Sequence, residues 1–425
     1  MVVGAVLMLL RVPAAAQDMP RVRRTIQDLT APAMHGRGYV RQGDKLAAAY
    51  LRRRFRGLGL QPLAPGYAQS FPLDVNTFPG TMLLRLDNQP LRPGYDFIAE
   101  PTSGGGQVSG IPVPFDTLVF TDTTARRQWL GENPRPQILV VRQREIQRLR
   151  QLAPTDSLRR HLEAVAAVIT LVPRKLTASL ADHQARQLQL QVVAERWPAQ
   201  LRQVRASVTA RLAARYQTQN VVGYVPGRIQ PDSFLVVTAH YDHLGQMGKS
   251  TYFPGANDNA SGTALLLELA AHYARPGNRP AYSIVFIAFG AEEAGLVGSR
   301  YFVEHPLIPL VRIRFLVNLD LLGTGSEGLT AVNGRELPQE FQLLQRLTQA
   351  RPAALSLAAR GRAANSDHFP FSERGVPAFF LYTRGGISAY HDVHDRAETL
   401  PLTAFANIFS LLLDFLAMLG ARPTP

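Results

Sequence analysis

The sequence has 425 residues, with 46 basic and 32 acidic side chains and a formal net charge of +14. The absence of cysteine excludes disulfide bonds, thiolate metal ligands and a cysteine nucleophile. Nearly all of the positive charge is arginine, which is scattered along the chain and not interleaved with aromatic residues in one block, so the charge does not indicate a nucleic-acid partner.

Residues 1–16 have features of an export signal. An apolar run at residues 2–10 is followed by Pro13 and by three alanines at 14–16. A buried amino-terminal helix is the alternative interpretation. The run is too short to span a bilayer, so we expect a secreted or periplasmic protein without stable membrane insertion.

The length is that of about two domains. Residues 45–58 have the apolar spacing of a helix, and residues 81–86 have the pattern of a strand. A run of glycines at 104–106 resembles a linker, and the residue composition changes after it. Strand-like runs at 138–141 and 166–172, with helical sequence between them, lack paired acids or histidines at their ends. We therefore predict an inserted smaller α+β domain at 99–217, and a larger domain made of 17–98 and 218–425.

The larger domain alternates strands and helices. Runs that are apolar on both faces predict strands at 234–239, 282–289, 313–319 and 377–383. Helical spacing predicts helices at 262–273, 293–302, 338–350 and 402–419. This order predicts an α/β fold, with a mixed, mostly parallel central sheet and helices on both faces.

Polar clusters follow these strands. Imidazoles and carboxylates without cysteine suit Zn²⁺, Mn²⁺ or Co²⁺. Because ligands collect beyond the carboxyl ends of parallel strands, we expect the clusters to meet at one edge of the sheet. Two histidines and three carboxylates can give three ligands to each of two ions if one carboxylate bridges. The candidate residues are His240 with Asp242, Asp258, Glu292 with Glu293, Asp320, and His391.

The neighbouring glutamates, Glu292 and Glu293, suit a division of roles. One can bind a metal while the other remains free as a general base that moves a proton from water to a leaving amine. Asp242, two residues after His240, is placed to accept the other ring N–H and so fix the tautomer of that histidine.

Together these motifs closely resemble the secreted leucine-type aminopeptidases with co-catalytic zinc, a metallopeptidase family that also contains glutamate carboxypeptidases. The resemblance covers residues 218–420, and 37–63 more loosely. It is carried by AHYDHLG at 239–245, GANDNASG at 255–262, AEEAGL at 291–296, NLD at 318–320 and YH at 390–391.

The resemblance implies a zinc exopeptidase fold and a set of roles. His240, Asp258 and Asp320 would hold one zinc, and Asp258, Glu293 and His391 the other, with Glu292 as general base and peptides as substrates. It also implies a cis peptide bond after Asp258. The insert resembles, by strand order and placement, a protease-associated domain.

Several alternatives remain open from the sequence. His394 competes with His391 as a ligand, whereas His243 and His368 are expected to have structural roles. A carboxypeptidase would need a cationic pocket, which Arg362, Arg374 and Arg384 could supply. A glutaminyl-peptide cyclase or a receptor-like module without catalysis shares parts of the pattern, and the oligomeric state is undetermined.

Overall fold

The computed structural model describes residues 17–421, so the predicted export signal at residues 1–16 lies outside the described part. Its centre is a nine-stranded sheet. The spatial order is Gln61–Pro62, Arg211–Val225, Tyr282–Phe289, Gln230–His240, Ile313–Leu319, Ala378–Arg384, Gly328–Val332 and Leu357–Ala359, with Ala68–Thr77 paired to Arg211–Val225.

The middle of this sheet is parallel. Tyr282–Phe289, Gln230–His240, Ile313–Leu319 and Ala378–Arg384 run in the same direction. The strands that flank these four, Arg211–Val225 and Gly328–Val332, are antiparallel to their inner neighbours. The predicted α/β class with a mixed sheet is confirmed, and the parallel strands are those for which the sequence predicted burial on both faces.

Helices cover both faces of the sheet. Successive side chains of a strand point to opposite faces, so a strand that is apolar throughout must be covered on both. Leu235 and Val237 belong to a large core on one face, whereas Val236 belongs to a smaller core on the other. The first core contains residues from Met19–Thr30, Gly43–Gly57, Gly262–Tyr273, Pro338–Gln349 and Phe405–Gly420. The second contains residues from Val297–Glu304 and His368–Glu373.

One predicted helix begins later than expected. The sequence pattern placed its start at 293, but the helix is Val297–Glu304. Ala291 and Leu296 have left-handed backbone conformations, with φ of 59° and 61°, which a continuing helix does not allow. The residues between the strand and the helix form a turn that carries Glu292 and Glu293.

The strands between residues 82 and 208 form two further sheets. The five-stranded sheet has the order Phe97–Ala99, Leu188–Val193, Ala167–Val172, Ile138–Arg142 and Pro112–Pro114, and the helices Thr123–Gly131, Gln143–Gln151 and Ser157–Ala164 occur within this part of the chain. The four-stranded sheet has the order Gln89–Pro90, Met82–Leu86, Val204–Val208 and Gly106–Gly110.

This pairing does not respect the predicted boundary between residues 98 and 99. Met82–Leu86 pairs with Val204–Val208, and Phe97–Ala99 pairs with Leu188–Val193. Strands that the sequence assigned to the larger domain are therefore hydrogen-bonded to strands of the predicted insert. Strand pairing places the start of the inserted part near residue 80, while its independence as a domain stays a prediction.

None of the helices within residues 17–421 combines the length and the apolar character that crossing a bilayer requires. The closing helix Phe405–Gly420 is apolar, but it is packed into the core of the first face.

Candidate metal centre

The polar clusters meet at one edge of the sheet. His240 is paired with Phe289, Thr238 with Asn318, and Asn318 with Phe380, so the four parallel strands end at the same level. The residues that follow each strand converge there. They line a cavity of about 270 Å³ together with Asp258 from the loop before Gly262–Tyr273.

A first group of ligand atoms surrounds the His240 ring. Its Nε2 lies 3.3 Å from Oδ1 of Asp258 and 3.4 Å from Oδ1 of Asp320. All three residues are buried. Nδ1 of His240 lies 3.2 Å from the main-chain carbonyl oxygen of Asp242, which accepts the ring proton in the tautomer that leaves the Nε2 lone pair directed at the two carboxylates.

A second group surrounds the His391 ring. Its Nε2 lies 3.1 Å from Oδ2 of Asp258 and 3.1 Å from Oε2 of Glu293. Nδ1 of His391 is 3.0 Å from the main-chain oxygen of Ala178 and can donate its proton there. Asp258 thus turns one carboxylate oxygen to each group, which is the arrangement expected of a bridging ligand.

The spacing of these atoms fits metal ions. Tetrahedral coordination at 2.0–2.2 Å separates neighbouring ligand atoms by about 3.3 Å, and the four separations within the two groups are 3.1 to 3.4 Å. Oδ1 of Asp320 is buried and makes no hydrogen bond of acceptable geometry among the described residues. A donor set of imidazole nitrogens and carboxylate oxygens is suited to zinc.

Neighbouring charges shift the pKa values of His391 and Glu293 strongly. Burial lowers the pKa of His391, but Glu293 and Asp258 outweigh burial and raise it to about 11. Burial and Asp258 raise the pKa of Glu293, but His391 and His243 outweigh them and lower it to about 2. Carboxylates packed this closely need positive charge between them, which a bound cation or a protonated imidazole can provide.

Asp242 contacts the site differently from the prediction. Its carboxylate Oδ1 lies 3.8 Å from Nδ1 of His240, beyond hydrogen-bond distance, and its main-chain oxygen is the closer acceptor. The carboxylate instead accepts the backbone N–H groups of Glu292 and Glu293, at 3.1 and 3.3 Å. Asp242 therefore connects the turn that carries both glutamates to the strand end that carries His240.

The loop that carries Asp258 is held by Asp395. The carboxylate of Asp395 accepts the backbone N–H groups of Asn257 and Asp258, at 2.8 and 3.0 Å. The peptide bond between Asp258 and Asn259 is cis, as the resemblance implied. Gly255 begins the loop with φ of 61°, and a Cβ there would overlap the main-chain oxygen of Asp258 and the ring of His243, so this position requires glycine.

A comparison with known families now identifies this part of the chain. Residues 220–416 match the family model described as Peptidase family M28. We call residues 220–416 the M28 segment.

The chain resembles curated peptidases over part of their length. Aminopeptidase YwaD of Bacillus subtilis (strain 168) is 34% identical over 179 residues, which cover 41% of this chain and 37% of that protein. Leupeptin-inactivating enzyme 1 of Streptomyces exfoliatus is 30% identical over 165 residues, which cover 39% of this chain and 35% of that protein. The matches thus span little more than a third of these relatives.

Solved structures resemble more of the chain. The structure of BSAP, described as a zinc aminopeptidase from Bacillus subtilis, aligns with 96% of this chain and 95% of its own, with a TM-score of 0.70 and 20% identity. The aminopeptidase from Aneurinibacillus sp. strain AM-1 aligns with the same shares, with a TM-score of 0.66 and 19% identity. At this identity the likeness shows that the M28 segment and the inserted part share the fold of these proteins.

The two histidines that compete with His391 as ligands, His394 and His243, lie in different positions around the candidate metal centre. The ring of His394 packs edge-on against Tyr95, with ring centroids 5.6 Å apart. His243 is completely buried, and its Nδ1 lies 2.7 Å from Oε1 of Glu293, whereas His391 contacts the other carboxylate oxygen of that residue. With Asp258 and Glu293 it forms an alternative group of three possible ligands.

The arginines proposed for a carboxylate pocket do not line the cavity. Arg384 donates to Ser356, and Arg362 lies over the ring of Phe369. The arginine that does line the cavity is Arg360, whose Nη1 lies 3.1 Å from the hydroxyl of Tyr382. No sequence pattern favoured Arg360, because its position depends on a loop that returns to the sheet edge.

Arg37 is the contributor to the M28 site that sequence reasoning missed. Its guanidinium is fully buried and donates to the carbonyl oxygens of Tyr241, Leu29, Pro254, Gly255 and Asp258, at 2.6 to 3.2 Å. Burial lowers its pKa to about 10. It ties the His240 strand end to the Asp258 loop. A lone arginine between two glycines gives no signal of this in the sequence.

Proposed function

We propose that this protein is an exported aminopeptidase that uses two zinc ions to remove amino-terminal residues from peptides. The observation that carries the proposal is Asp258, whose two carboxylate oxygens face two separate groups of potential ligands, 3.3 Å from His240 and 3.1 Å from His391. The names of the related proteins, which include an aminopeptidase and a zinc aminopeptidase, support the same activity.

The proposed ligands follow the two groups. His240, Asp258 and Asp320 would hold one zinc, and Asp258, Glu293 and His391 the other. His391 is preferred to His243 because its Nε2 is 3.1 Å from both Asp258 and Glu293, whereas His243 hydrogen-bonds one oxygen of Glu293 and orients it. Zinc held by these residues would polarise a carbonyl oxygen of the substrate and would lower the pKa of water to about 7.

Glu292 is the proposed general base. It lines the cavity beside Glu293 and Asp320, and the Asp242 carboxylate fixes its backbone. Burial, together with Asp367 and the neighbouring acids, raises its pKa well above the ordinary value, although His240 opposes this. A carboxylate that binds a proton readily can take it from the attacking water and deliver it to the leaving amine.

The walls of the cavity suit the first residue of a peptide. Its volume of about 270 Å³ is slightly below the roughly 300–1,000 Å³ of sites for drug-sized ligands, so it accommodates a short part of a peptide. Leu321, Phe380 and Tyr382 form apolar walls beside the acidic floor. The carboxylates would attract a protonated amino terminus, and the walls would take an apolar or aromatic side chain.

Peptides blocked at one end or the other test this function. We expect the zinc-supplemented protein to hydrolyse a peptide with a free amino terminus and an amidated carboxyl terminus. It should leave intact a peptide of the same sequence with an acetylated amino terminus and a free carboxyl terminus. Cleavage of the acetylated peptide from its free carboxyl end would indicate a carboxypeptidase in which Arg360 binds the carboxylate. Cleavage of neither peptide by folded, zinc-containing protein would contradict the proposal.

A further inference from the structure

A second cavity, of about 950 Å³, lies within the inserted part of the chain. It is bordered by the helix Ser157–Ala164 and by the amino ends of the strands Ala167–Val172 and Leu188–Val193. Five arginines line it, whereas Glu163 is the one acidic residue in its lining. We call it the arginine groove, after Arg135, Arg150, Arg159, Arg160 and Arg186.

The positive charge of the arginine groove is only partly compensated. Arg159 lies 3.0 Å from Glu163, and Arg150 lies 3.4 Å from Glu100 behind the wall. Within residues 17–421, Arg135, Arg160 and Arg186 have no ion pair, and all three are exposed. The groove therefore offers three guanidinium groups to an anion, and guanidinium groups bind carboxylates in a bidentate manner.

One side of the groove is rigidly built. Gln189 is buried, and its side-chain oxygen accepts hydrogen bonds from Thr102 at 3.0 Å and from Nη2 of Arg150 at 3.3 Å. The contacts with Gln189 and Glu100 together hold the guanidinium of Arg150 in one position in the groove. A fixed guanidinium loses less conformational entropy when it binds a ligand than a freely rotating one does.

The groove is close to the metal centre along the chain. The main-chain oxygen of Ala178 lies 3.0 Å from Nδ1 of His391, and the groove wall begins at His183. The five peptide units from Ala178 to His183 span at most about 18 Å when fully extended. With the 3.0 Å contact to His391 the total is at most about 21 Å, which an extended peptide covers with about six residues at about 3.4 Å per residue.

We propose that the arginine groove binds acidic side chains of a peptide whose amino terminus lies at the metal centre. This inference rests on the proposed function for the position of the amino terminus. The cavity is larger than a single small anion requires, and the chain segment that joins its wall to the His391 contact is short enough for an extended peptide of about six residues to span. The groove would select substrates with carboxylates several residues after the cleaved bond.

Two matched peptides test this substrate class. Both begin with leucine followed by six glycine and serine residues; one ends in four glutamates and the other in four glutamines. For the wild type we expect a KM about tenfold lower for the glutamate peptide, from several exposed ion pairs, with kcat unchanged. The difference should shrink as ionic strength rises, because salt screens exposed charges.

A pair of triple variants separates the groove from the overall charge. The groove variant is Arg135→Gln/Arg160→Gln/Arg186→Gln, and the control variant is Arg23→Gln/Arg24→Gln/Arg56→Gln, whose arginines are also exposed. Both lose three positive charges. We expect the groove variant to lose the preference for the glutamate peptide and the control variant to keep it, while both hydrolyse leucinamide at the wild-type rate.

A binding measurement keeps the inference separable from the proposed function. A fluorescent, amino-acetylated tetraglutamate peptide should bind the wild type and the control variant more tightly than the groove variant, as measured by anisotropy, whether or not turnover occurs. Equal binding by all three proteins, or an equal KM for both substrate peptides, would overturn the inference. If polyphosphate but not the peptide distinguishes the variants, the groove binds phosphate polymers and the inference is wrong. Failure to hydrolyse either substrate would contradict the proposed function instead.

Discussion

Glu292 and Glu293 are neighbours in the sequence but have different surroundings. Glu293 contacts both His243 and His391, at 2.7 and 3.1 Å, whereas Glu292 faces the cavity and makes no ion pair with a histidine among the described residues. Both residues lie in one turn, which is held by Asp242 because its carboxylate accepts both of their backbone N–H groups. This asymmetry is the basis for assigning one residue as ligand and the other as base.

Replacement of the proposed base should uncouple metal binding from turnover. We expect Glu292→Gln to retain both metal equivalents and to lose about 10²- to 10⁴-fold in kcat, the range typical of a general acid or base. Metal content and steady-state kinetics measure the two effects. Glu304→Gln, an exposed change at the end of the following helix, serves as the control. Full turnover by Glu292→Gln would show that the base is another residue.

Arg37 holds two segments of the proposed centre through carbonyl oxygens. We expect Arg37→Met to destabilise the protein by about 4 kcal/mol or more, because it leaves five buried acceptors without their donor. Arg37→Lys should recover part of this, since an ammonium group reaches fewer of the five. Urea unfolding measures both variants. A loss below about 1 kcal/mol for Arg37→Met would mean that the loops are held independently.

His368 should make stability depend on pH in a defined direction. It is fully buried, and burial lowers its pKa to about 4 from an ordinary value of 6.5. Between these values the unfolded chain binds a proton that the native protein does not, so this contribution is complete above pH 6.5 and is lost as the pH falls toward 4.

The variant His368→Leu lacks this contribution. As the pH falls from 6.5 to 4, we expect its free energy of unfolding to rise relative to that of the wild type by roughly 3 kcal/mol. Urea titrations at several pH values test this, with His183→Leu, at an exposed histidine, as the control. A constant difference between His368→Leu and the wild type would show that the buried imidazole is already protonated or becomes solvated.

At the scale of elements, the inserted part contributes directly to the metal centre. Ala178 accepts from Nδ1 of His391 and donates its backbone N–H to the carbonyl oxygen of His391, at 3.0 and 2.9 Å. Lys175 lies 2.8 Å from the Asp392 carboxylate and 3.0 Å from the Ser388 carbonyl oxygen. His391 has a left-handed backbone with φ of 53°, so these contacts from the insert hold an unusual conformation.

Loss of the lysine contact should weaken one metal more than the other. We expect Lys175→Met to lower the affinity of the zinc held by His391 about three- to tenfold and to leave the other unchanged, because orienting contacts behind a ligand affect metal affinity on this scale or more. Competition with a chelator measures the two affinities separately. Lys249→Met, at an exposed lysine, is the control. Equal weakening of both metals would point to general destabilisation.

The elements whose bounds were predicted best from the sequence are the strands that are buried along nearly their whole length. Tyr282–Phe289 and Ile313–Leu319 are buried nearly throughout, and their predicted bounds are those of the structure. The start of Val297–Glu304 was missed because the preceding turn is shaped by Asp242, which lies some fifty residues earlier in the chain. The sheets of the strands near residues 82 and 97 could not be predicted, because their pairing partners lie more than ninety residues later in the chain.

The candidate site was predictable to the extent that topology brings strand ends together. Each proposed ligand follows a parallel strand or lies in the loop next to one, so the convergence of His240, Asp258, Glu293, Asp320 and His391 could be inferred from order alone. The partners of those ligands could not. Ala178 contacts His391 through its own backbone, whereas the side chains of Asp395 and Arg37 bind backbone groups of other residues. Since any residue type possesses these backbone groups, no residue pattern predicts the contacts.

At the scale of the whole molecule, the central claim is that two metal ions share Asp258 between the strand ends of the M28 segment. Anomalous diffraction at the zinc absorption edge, on crystals of the zinc-supplemented protein, tests it most directly. We expect two peaks about 3.5 to 4 Å apart, one beside His240 and Asp320 and the other beside Glu293 and His391. A single peak, or peaks that Asp258 does not contact, would contradict it.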